Sequence, residues 1–387
     1  MLSPTRLGRS FPEVVHPTKM VVGIHSLRLP IHASHTYTTY KNDQHASQVG
    51  GGEDTTMANR YAHVHQSPAG AGDARPTAQQ IIEDAHLEGH WTDQVLLITG
   101  CSSGLGVQTA RALYTTGATL YLTARDLTKA RRALADLIDS PRVHLLHLDL
   151  NSLASVRACA AEFNAQSTRL NILIANAGVM GCPEGRTADG FETQFGTNHL
   201  AHFLLVHLLR PVLLVSSTPA FHSRVLLLSS GSHRFGEVNF ENLTGEGEYN
   251  TWMAYAQSKT ANIWTANELE RRYGSHGLHA VSLHPGTIAT DLLRHVPAEQ
   301  MAVWTADKEL EQYWKTPEQG AATTVWAATA SELEGIGGVY LDNCAVAEEW
   351  VPTESGWGPG YASWAFSPEK EARLWATSME LLELQDA

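Results

Sequence analysis

Two residues near the middle of the chain, Tyr255 and Lys259, have the types and the spacing that acid–base chemistry needs. They stand four positions apart, so a helix would place them one turn from each other on the same face. A free tyrosine has a pKa near ~10 and is a poor proton donor or acceptor at neutral pH, whereas a nearby ammonium group favours its phenolate. Lys259 is therefore predicted to lower the pKa of Tyr255, although such a pair alone is also typical of an exposed helix.

Ser230, at the end of the apolar run Val225–Leu228, is a third residue with a predicted role in this chemistry. Its hydroxyl would hydrogen-bond the same substrate oxygen that Tyr255 protonates in a reduction, or from which Tyr255 takes a proton in an oxidation. The three side chains together predict an enzyme that interconverts a carbonyl compound and an alcohol.

A glycine-rich turn far upstream supplies the second chemical feature. The apolar run Val95–Ile98 predicts a buried strand, and a helical periodicity begins after Gly106. Gly100 and Gly104 would let the backbone turn tightly against a pyrophosphate, and Gly106 would let the helix pack on the strand. The turn also contains Ser102, Ser103 and Leu105. This context predicts a dinucleotide site, although the motif by itself also occurs in ordinary strand-to-helix turns.

The same turn matches the nucleophile elbow G-x-S-x-G of serine hydrolases, with Ser102 as the nucleophile. A hydrolase would need several strands before the elbow, but the roughly ninety upstream residues are mostly polar and without periodicity. It would also leave Tyr255 and Lys259 without a role. The hydrolase is therefore the less favoured alternative.

Strands alternate with helices along the rest of the chain. Predicted strands cover Val95–Ile98, Thr119–Thr123, Val143–Leu150, Leu170–Ile174, Val225–Leu228, Leu278–Leu283 and Gly338–Leu341. Predicted helices lie between them, at about 127–138, 153–164, 198–215 and 253–273. This alternation predicts an α/β fold, a Rossmann doubly wound parallel sheet of about seven strands with helices on both faces. A cofactor would lie across the carboxyl ends of the strands.

Five motifs follow one another in the chain: the glycine turn, Asp149, Asn176-Ala177-Gly178, the set Asn198, Ser230, Tyr255 and Lys259, and Pro285-Gly286. Their order resembles that of the short-chain dehydrogenase/reductase family, and most of all its retinol-dehydrogenase-like and fungal secondary-metabolism members. The resemblance extends from about Trp91 to the C-terminal region. Ala175 departs from the pattern, because many members carry another asparagine there.

The resemblance implies further roles for individual residues. Lys259 would also hold the nicotinamide ribose, and Asn198 would orient a water that relays protons to Lys259. The cofactor contacts that it implies are Asp149 at the adenine, with Leu150 beside it, Asn176, Ala177 and Gly178 along the dinucleotide, and Pro285, Gly286 and Thr287 at the nicotinamide. A cofactor-binding regulatory protein on the same fold is the alternative to an enzyme, and the intact catalytic set argues against it.

The choice of cofactor depends on Arg125, which follows the second predicted strand. An acidic residue there would bind the ribose 2′-hydroxyl of NAD, whereas an arginine suits the 2′-phosphate of NADP through bidentate contacts. Asp126 comes one residue later and favours the opposite choice, and an arginine at a sheet edge also has a purely structural explanation. NADP(H) is the predicted cofactor, ahead of NAD(H).

Composition restricts the partners. The chain has 387 residues, of which 43% are hydrophobic, and a net charge of −13, which argues against nucleic-acid binding. Its four cysteines form no C-x-x-C pair and its 20 histidines no H-E-x-x-H motif, so no metal and no disulfide framework are predicted. The expected partner is a small carbonyl or alcohol, and a homo-oligomer is compatible with the composition. A cytoplasmic location is predicted, with an organelle as the alternative.

Residues 1–88 are predicted to be a largely disordered N-terminal extension, and residues 89–387 the Rossmann domain. Deletion of residues 1–75 is accordingly expected to leave the fold intact. No apolar run reaches the ~20 residues of a membrane helix. The stretch 235–250 is predicted to be either a loop at the active-site mouth or a surface loop. The C-terminal tryptophans are predicted to form either a substrate pocket or part of the core.

Overall fold

The computed structural model describes residues 60–247, 249–353 and 356–385. The strands are β1 (Val95–Ile98), β2 (Thr119–Ala124), β3 (Val143–His147), β4 (Ile172–Ala175), β5 (Ser223–Leu228), β6 (Leu278–His284), β7 (Thr287–Ile288), β8 (Trp314–Lys315), β9 (Tyr340–Asp342) and β10 (Ala345–Val346). Predictions for residues 1–59 lie outside the described residues and stay predictions.

Eight of these strands form one sheet in the order β10-β9-β6-β5-β4-β1-β2-β3. All neighbours are parallel except β10, which pairs antiparallel with β9. Strand β1 lies between β2 and β4, with Leu96 opposite both Leu120 and Ile172. The chain therefore winds outward in two directions from β1 and β4, and a ligand crevice is expected where the order reverses.

Thirteen α-helical segments accompany the sheet in the described part of the chain. They are α1 (Ala62–His65), α2 (Ala78–Asp84), α3 (Gly104–Thr115), α4 (Leu127–Ala133), α5 (Leu153–Gln166), α6 (Thr193–Phe195), α7 (Ala201–Ser216), α8 (Thr251–Tyr273), α9 (Ala298–Ala306), α10 (Lys308–Glu311), α11 (Pro317–Gly320), α12 (Ala322–Thr329) and α13 (Pro368–Leu381). Helices α5, α7, α8 and α13 bury one face of the sheet, and α2, α3 and α12 bury the other. The predicted Rossmann fold with helices on both faces is confirmed.

The structure corrects several predicted bounds. The main sheet has eight strands instead of about seven, because the antiparallel pair β9–β10 adds a two-residue strand that is too short to show a periodicity. The predicted strand Val143–Leu150 ends at His147, and the predicted helix at 198–215 begins earlier, at Thr193. A π-helical turn, Gly196–Leu200, joins α6 to α7.

The folded domain also begins before the predicted boundary at residue 89. Helix α2 starts with a capping box at Thr77, and its side chains Ile81 and Ile82 are fully covered by the core. Arg75 is buried as well and donates hydrogen bonds to the backbone oxygens of Gln312 (3.2 Å) and Trp314 (2.6 Å). A deletion of residues 1–75 would remove this arginine, so it is no longer expected to be harmless.

One helical stretch, Thr193–Ser216, is long and apolar enough to cross a membrane by length and composition. Two thirds of its most apolar window (67%) lies inside the protein. Its apolar side chains pack on α5 and on strands β4 and β5, which is the usual place of a core helix in a doubly wound fold.

Candidate active site

Four elements bring the predicted catalytic residues to one edge of the sheet. Ser230 follows the carboxyl end of β5, and Tyr255 and Lys259 lie on the first turns of α8. Asn198 comes from the π-helical turn before α7. Because the carboxyl ends of parallel strands meet at this edge, the glycine turn after β1 ends there as well. The predicted set is thus assembled in one place.

Tyr255 is almost completely buried, with 3% of its surface exposed, and its phenol lies beside the Ser230 side chain. Burial raises the pKa of Tyr255 to about 12, and the neighbouring Ser230 hydroxyl opposes this rise only in part. The net shift of this pKa is therefore upward, against the fall that the spacing of Tyr255 and Lys259 predicts. In this arrangement the removal of the phenol from water outweighs the influence of the ammonium group, whose Nζ is 5.6 Å from the ring centroid.

Lys259 is also buried, and its Nζ donates to the backbone oxygen of Leu228, at 3.0 Å. The same oxygen accepts a hydrogen bond of 2.9 Å from the Asn262 side chain. Burial lowers the pKa of Lys259 to about 8. The lysine is thus held against the end of β5 by a fixed acceptor, and its charge sits close to its titration point at neutral pH.

Asn198 has both ends of its amide engaged. Its Oδ1 accepts from the Val179 N–H at 2.8 Å, and its Nδ2 donates to the Val179 oxygen at 2.9 Å and to Ser258 Oγ at 3.0 Å. Ser258 Oγ in turn donates to the backbone oxygen of Tyr255, at 2.7 Å. Asn198 thus links the segment after Gly178 to the helix that carries Tyr255, and its role with a water stays a prediction.

The glycine turn closes in a way that only glycine permits. Gly100 has a φ of +78°, and a Cβ there would lie 2.8 Å from the Ala177 Cβ. A Cβ at Gly106 would lie 2.4 Å from the Gly100 oxygen. Asn176 Nδ2 donates to the Thr99 oxygen at 2.7 Å, which fixes the turn to the end of β4. The backbone and the N-terminus of α3 thus form a cradle of the kind that holds a dinucleotide pyrophosphate.

The hydrolase alternative finds no support in this turn. Among the described residues, Ser102 is hydrogen-bonded to no histidine, so a base that would activate it is missing from that part of the chain. Ser103 precedes α3, and its side chain lies beside the Asp291 carboxylate. Cys101 is fully buried, and burial raises the pKa of its thiol to about 12.

Arg125 and Asp126, the two residues that bear on cofactor choice, differ in their surroundings. Arg125 is exposed directly after β2, at the carboxyl edge of the sheet. The Asp126 side chain caps α4, where its Oδ1 accepts from the Lys129 N–H at 2.9 Å. Asp149 Oδ1 accepts from the Asn151 N–H at 3.0 Å, and Leu150 beside it is buried. The predicted adenine end is therefore open to solvent at Arg125.

The turn Pro285-Gly286, directly before β7, packs against Lys315, a residue for which the sequence predicted no role. Gly286 has a φ of +109°, and a Cβ there would lie 2.8 Å from the Lys315 Cδ. The buried Lys315 donates to Asn343 Oδ1 at 2.9 Å and to the Pro285 oxygen at 3.4 Å. Lys315 lies on β8, which pairs with β7 next to Thr287. A single lysine without a surrounding pattern gave no signal that could have identified it.

The tryptophans divide between the two explanations that the sequence left open. Trp326 and Trp375 are buried in the two core clusters. Trp304, by contrast, stacks obliquely on Trp252 with ring centroids 5.6 Å apart, and both belong to an apolar cluster that includes Tyr255. The cluster also contains Met180, Val296, Leu292, Leu293 and Met301. An apolar wall thus adjoins the tyrosine.

The stretch 235–250 is tied to helices rather than left free. Asn239 N–H donates to the Gln257 Oε1 on α8 at 2.8 Å. Glu237 pairs with Lys370, and Glu241 pairs with Arg373 at 2.9 Å, both on α13. Residue 248 lies outside the described residues. The described part of the stretch therefore packs over the outer helices of the sheet.

Comparisons with known proteins agree with this geometry. A family model described as short chain dehydrogenase matches residues 94–301. A short-chain dehydrogenase/reductase, prx1 of Penicillium roqueforti, is 48% identical over 327 residues, which cover 84% of this chain and 96% of that protein. Human retinol dehydrogenase 11 is 38% identical over 294 residues, covering 75% and 86% of the two chains. A solved structure of an uncharacterized protein from Mycobacterium paratuberculosis has a TM-score of 0.60 at 31% identity, covering 81% and 99%.

Proposed function

The chain belongs to the short-chain dehydrogenase/reductase family, and from this premise we propose that it is an NADP(H)-dependent carbonyl reductase. The observation that carries the proposal is the placement of the buried Tyr255 beside Ser230, one helical turn from Lys259 and at the same edge of the sheet as the glycine turn. This places a proton donor, an oxygen-binding hydroxyl and a cation at one edge of the sheet. The substrate is a small apolar or aromatic ketone or aldehyde, in keeping with the apolar cluster around Tyr255 and with a place in secondary metabolism.

In a reduction, Tyr255 would give its proton to the carbonyl oxygen. Burial raises the pKa of Tyr255 to about 12, so its phenol carries that proton at neutral pH. Ser230 would orient that oxygen, and Lys259 would stabilise the phenolate that the proton transfer leaves. NADPH, when bound, supplies the hydride. The glycine cradle and the Pro285-Gly286 turn are the parts of this chain that would hold the dinucleotide.

NADPH is favoured over NADH by the contrast between two neighbouring side chains. Arg125 is exposed, so its guanidinium is available for a 2′-phosphate. The Asp126 carboxylate already caps α4 and is therefore less suited to bind a ribose hydroxyl.

A panel of ketones and aldehydes with NADPH and with NADH tests the proposal. We expect oxidation of NADPH with at least one aromatic carbonyl compound, and a kcat/KM at least tenfold lower with NADH. Binding of NADPH without turnover of any carbonyl compound or alcohol would instead support the regulatory alternative. Equal rates with the two cofactors would contradict the choice of NADP(H).

A further inference from the structure

We propose that Arg234 and His284 form a binding subsite, next to Ser230, for an anionic oxygen of the substrate that is not the reacting carbonyl. The proposal rests on the proposed function and specifies its substrate: a ketone or aldehyde that also carries a carboxylate or an ionised phenol or enol. The two residues converge on Gly231, which directly follows Ser230 in the chain. None of these three residues belongs to a recognised motif of the sequence.

Hydrogen bonds from two of its three guanidinium nitrogens hold Arg234 in a fixed position. Its Nε donates to the Gly231 oxygen at 3.0 Å and its Nη1 to the Gly358 oxygen at 2.8 Å. The guanidinium also lies over the Trp350 ring, 4.8 Å from the centroid. Within the described part of the chain, the remaining nitrogen, Nη2, has no hydrogen-bond acceptor, although it is not sealed from solvent.

His284 is oriented by the same glycine. The Gly231 N–H donates to its Nδ1 at 3.2 Å, so Nδ1 is an acceptor and the ring proton is on Nε2. Burial lowers the pKa of His284 well below its ordinary value, and the nearby cations Lys315 and Arg234 lower it further. The ring is therefore a neutral donor through Nε2, which also has no acceptor among the described residues and is not sealed from solvent.

The two donors face the same space. A Cβ placed on Gly231 would lie 3.1 Å from Arg234 Nη2 and 3.5 Å from His284 Nε2. Gly231 does not have a positive φ, so its backbone conformation does not require glycine. What the glycine provides is room between a cation and a neutral N–H donor, directly beside the serine that would bind the carbonyl oxygen.

The charge of the surroundings favours an anion in this space. Arg234 and Lys315 share one buried carboxylate, Asp342, which attracts both cations. Asp342 accepts a hydrogen bond from the Gly360 N–H at 3.3 Å and forms no direct ion pair with either cation within the described residues. Two cations against one carboxylate leave a positive surplus that a substrate anion would balance.

Matched aromatic ketones provide the test. The 2-, 3- and 4-acetylbenzoates would be compared with their methyl esters, using NADPH and the full chain. Because a charge-assisted hydrogen bond is lost when the acid is esterified, we expect at least one acid to have a kcat/KM about tenfold or more above that of its ester. Arg234→Gln should reduce this acid-to-ester ratio about tenfold.

Two further variants separate the subsite from a structural role. Gly231→Ala keeps both donors and places a methyl group between them, so it should lower the acid-to-ester ratio as Arg234→Gln does. Arg294→Gln removes an exposed cation that donates to the backbone oxygen of Asp291 and should leave the ratio unchanged. An equal loss for acid and ester, a rise in the KM for NADPH alone, or an unaltered ratio would each overturn the subsite. Absence of activity with every ester would contradict the proposed function instead.

Discussion

The two ends of the predicted cofactor groove are built in opposite ways. At the nicotinamide end, Tyr255 and Lys259 are buried, and backbone oxygens fix the side chains around them. At the adenine end, Arg125 is exposed. The difference indicates a division of labour. Chemistry requires side chains whose positions and pKa values are set before the substrate arrives, whereas recognition of a phosphate at the surface requires only a charge within reach.

The nicotinamide end gives the largest expected effect. Tyr255→Phe keeps the buried ring but removes the proton donor, so turnover should fall by about 10²–10⁴-fold, the range of general acid–base catalysis. Binding of NADPH, followed by its fluorescence, should remain. Tyr114→Phe alters a tyrosine at the far end of α3 and serves as the control. A rate near that of the unaltered chain in Tyr255→Phe would remove Tyr255 from the mechanism.

A substitution of Lys259 tests whether burial of its charge at the nicotinamide end lowers the free energy of unfolding. Burial lowers the pKa of Lys259 from 10.5 to about 8, so between these values the unfolded chain binds more protons at this residue than the folded chain does. The contribution of Lys259 to the free energy of unfolding therefore rises with pH through this window. Below about pH 8 the buried charge costs the fold on the order of 3 kcal/mol.

Lys259→Met should consequently be more stable than the unaltered chain at pH 7, and the difference should shrink as the pH approaches 10.5. Urea unfolding at several pH values measures it. Lys129→Met, at an exposed lysine, should show no such trend. A difference in the free energy of unfolding that does not change with pH would mean that Lys259 is not destabilised by burial.

The exposed end is tested by Arg125→Asp, which should shift the preference from NADPH toward NADH. Loss of a charge-assisted contact should weaken NADPH binding by about 1.5–3 kcal/mol, and added salt should reduce the effect because the site is exposed. Arg131→Asp makes the same charge change at an exposed position on α4 and is the control. If both variants weaken NADPH equally, general electrostatics explains the preference and Arg125 does not read the phosphate.

The smallest effect concerns the N-terminal residues. Deletion of residues 1–59 should leave the melting temperature and the activity unchanged, since that segment has too little periodic apolar sequence to offset the ~1–2 kcal/mol per residue of backbone ordering. Deletion of residues 1–76 removes Arg75 and its contacts with Gln312 and Trp314, so it should lower the melting temperature. Equal melting of the two shortened chains would show that Arg75 does not support the fold.

Local sequence patterns predicted correctly those elements whose structure depends on only a few consecutive residues. Strand β1 has the predicted bounds, since four apolar residues before a glycine turn leave little choice. The pKa of Tyr255 was predicted in the wrong direction, because spacing shows the neighbouring charge but not the burial that outweighs it. Lys315, Arg234 and His284 had no periodicity to identify them, as their positions depend on contacts between distant segments.

The contacts of Arg75 have a consequence for how the chain is made. Its acceptors on Gln312 and Trp314 are 237 and 239 positions further along. During synthesis on a ribosome, β1 and the glycine turn emerge long before Gln312 and Trp314. Arg75 therefore cannot form its hydrogen bonds to these two residues until most of the polypeptide has been synthesised. Strand β8 pairs with β7, which contains Thr287, so the nicotinamide end is completed late in synthesis. The residues of the dinucleotide cradle around β1 are thus synthesised well before the residues of β8 that complete the nicotinamide end.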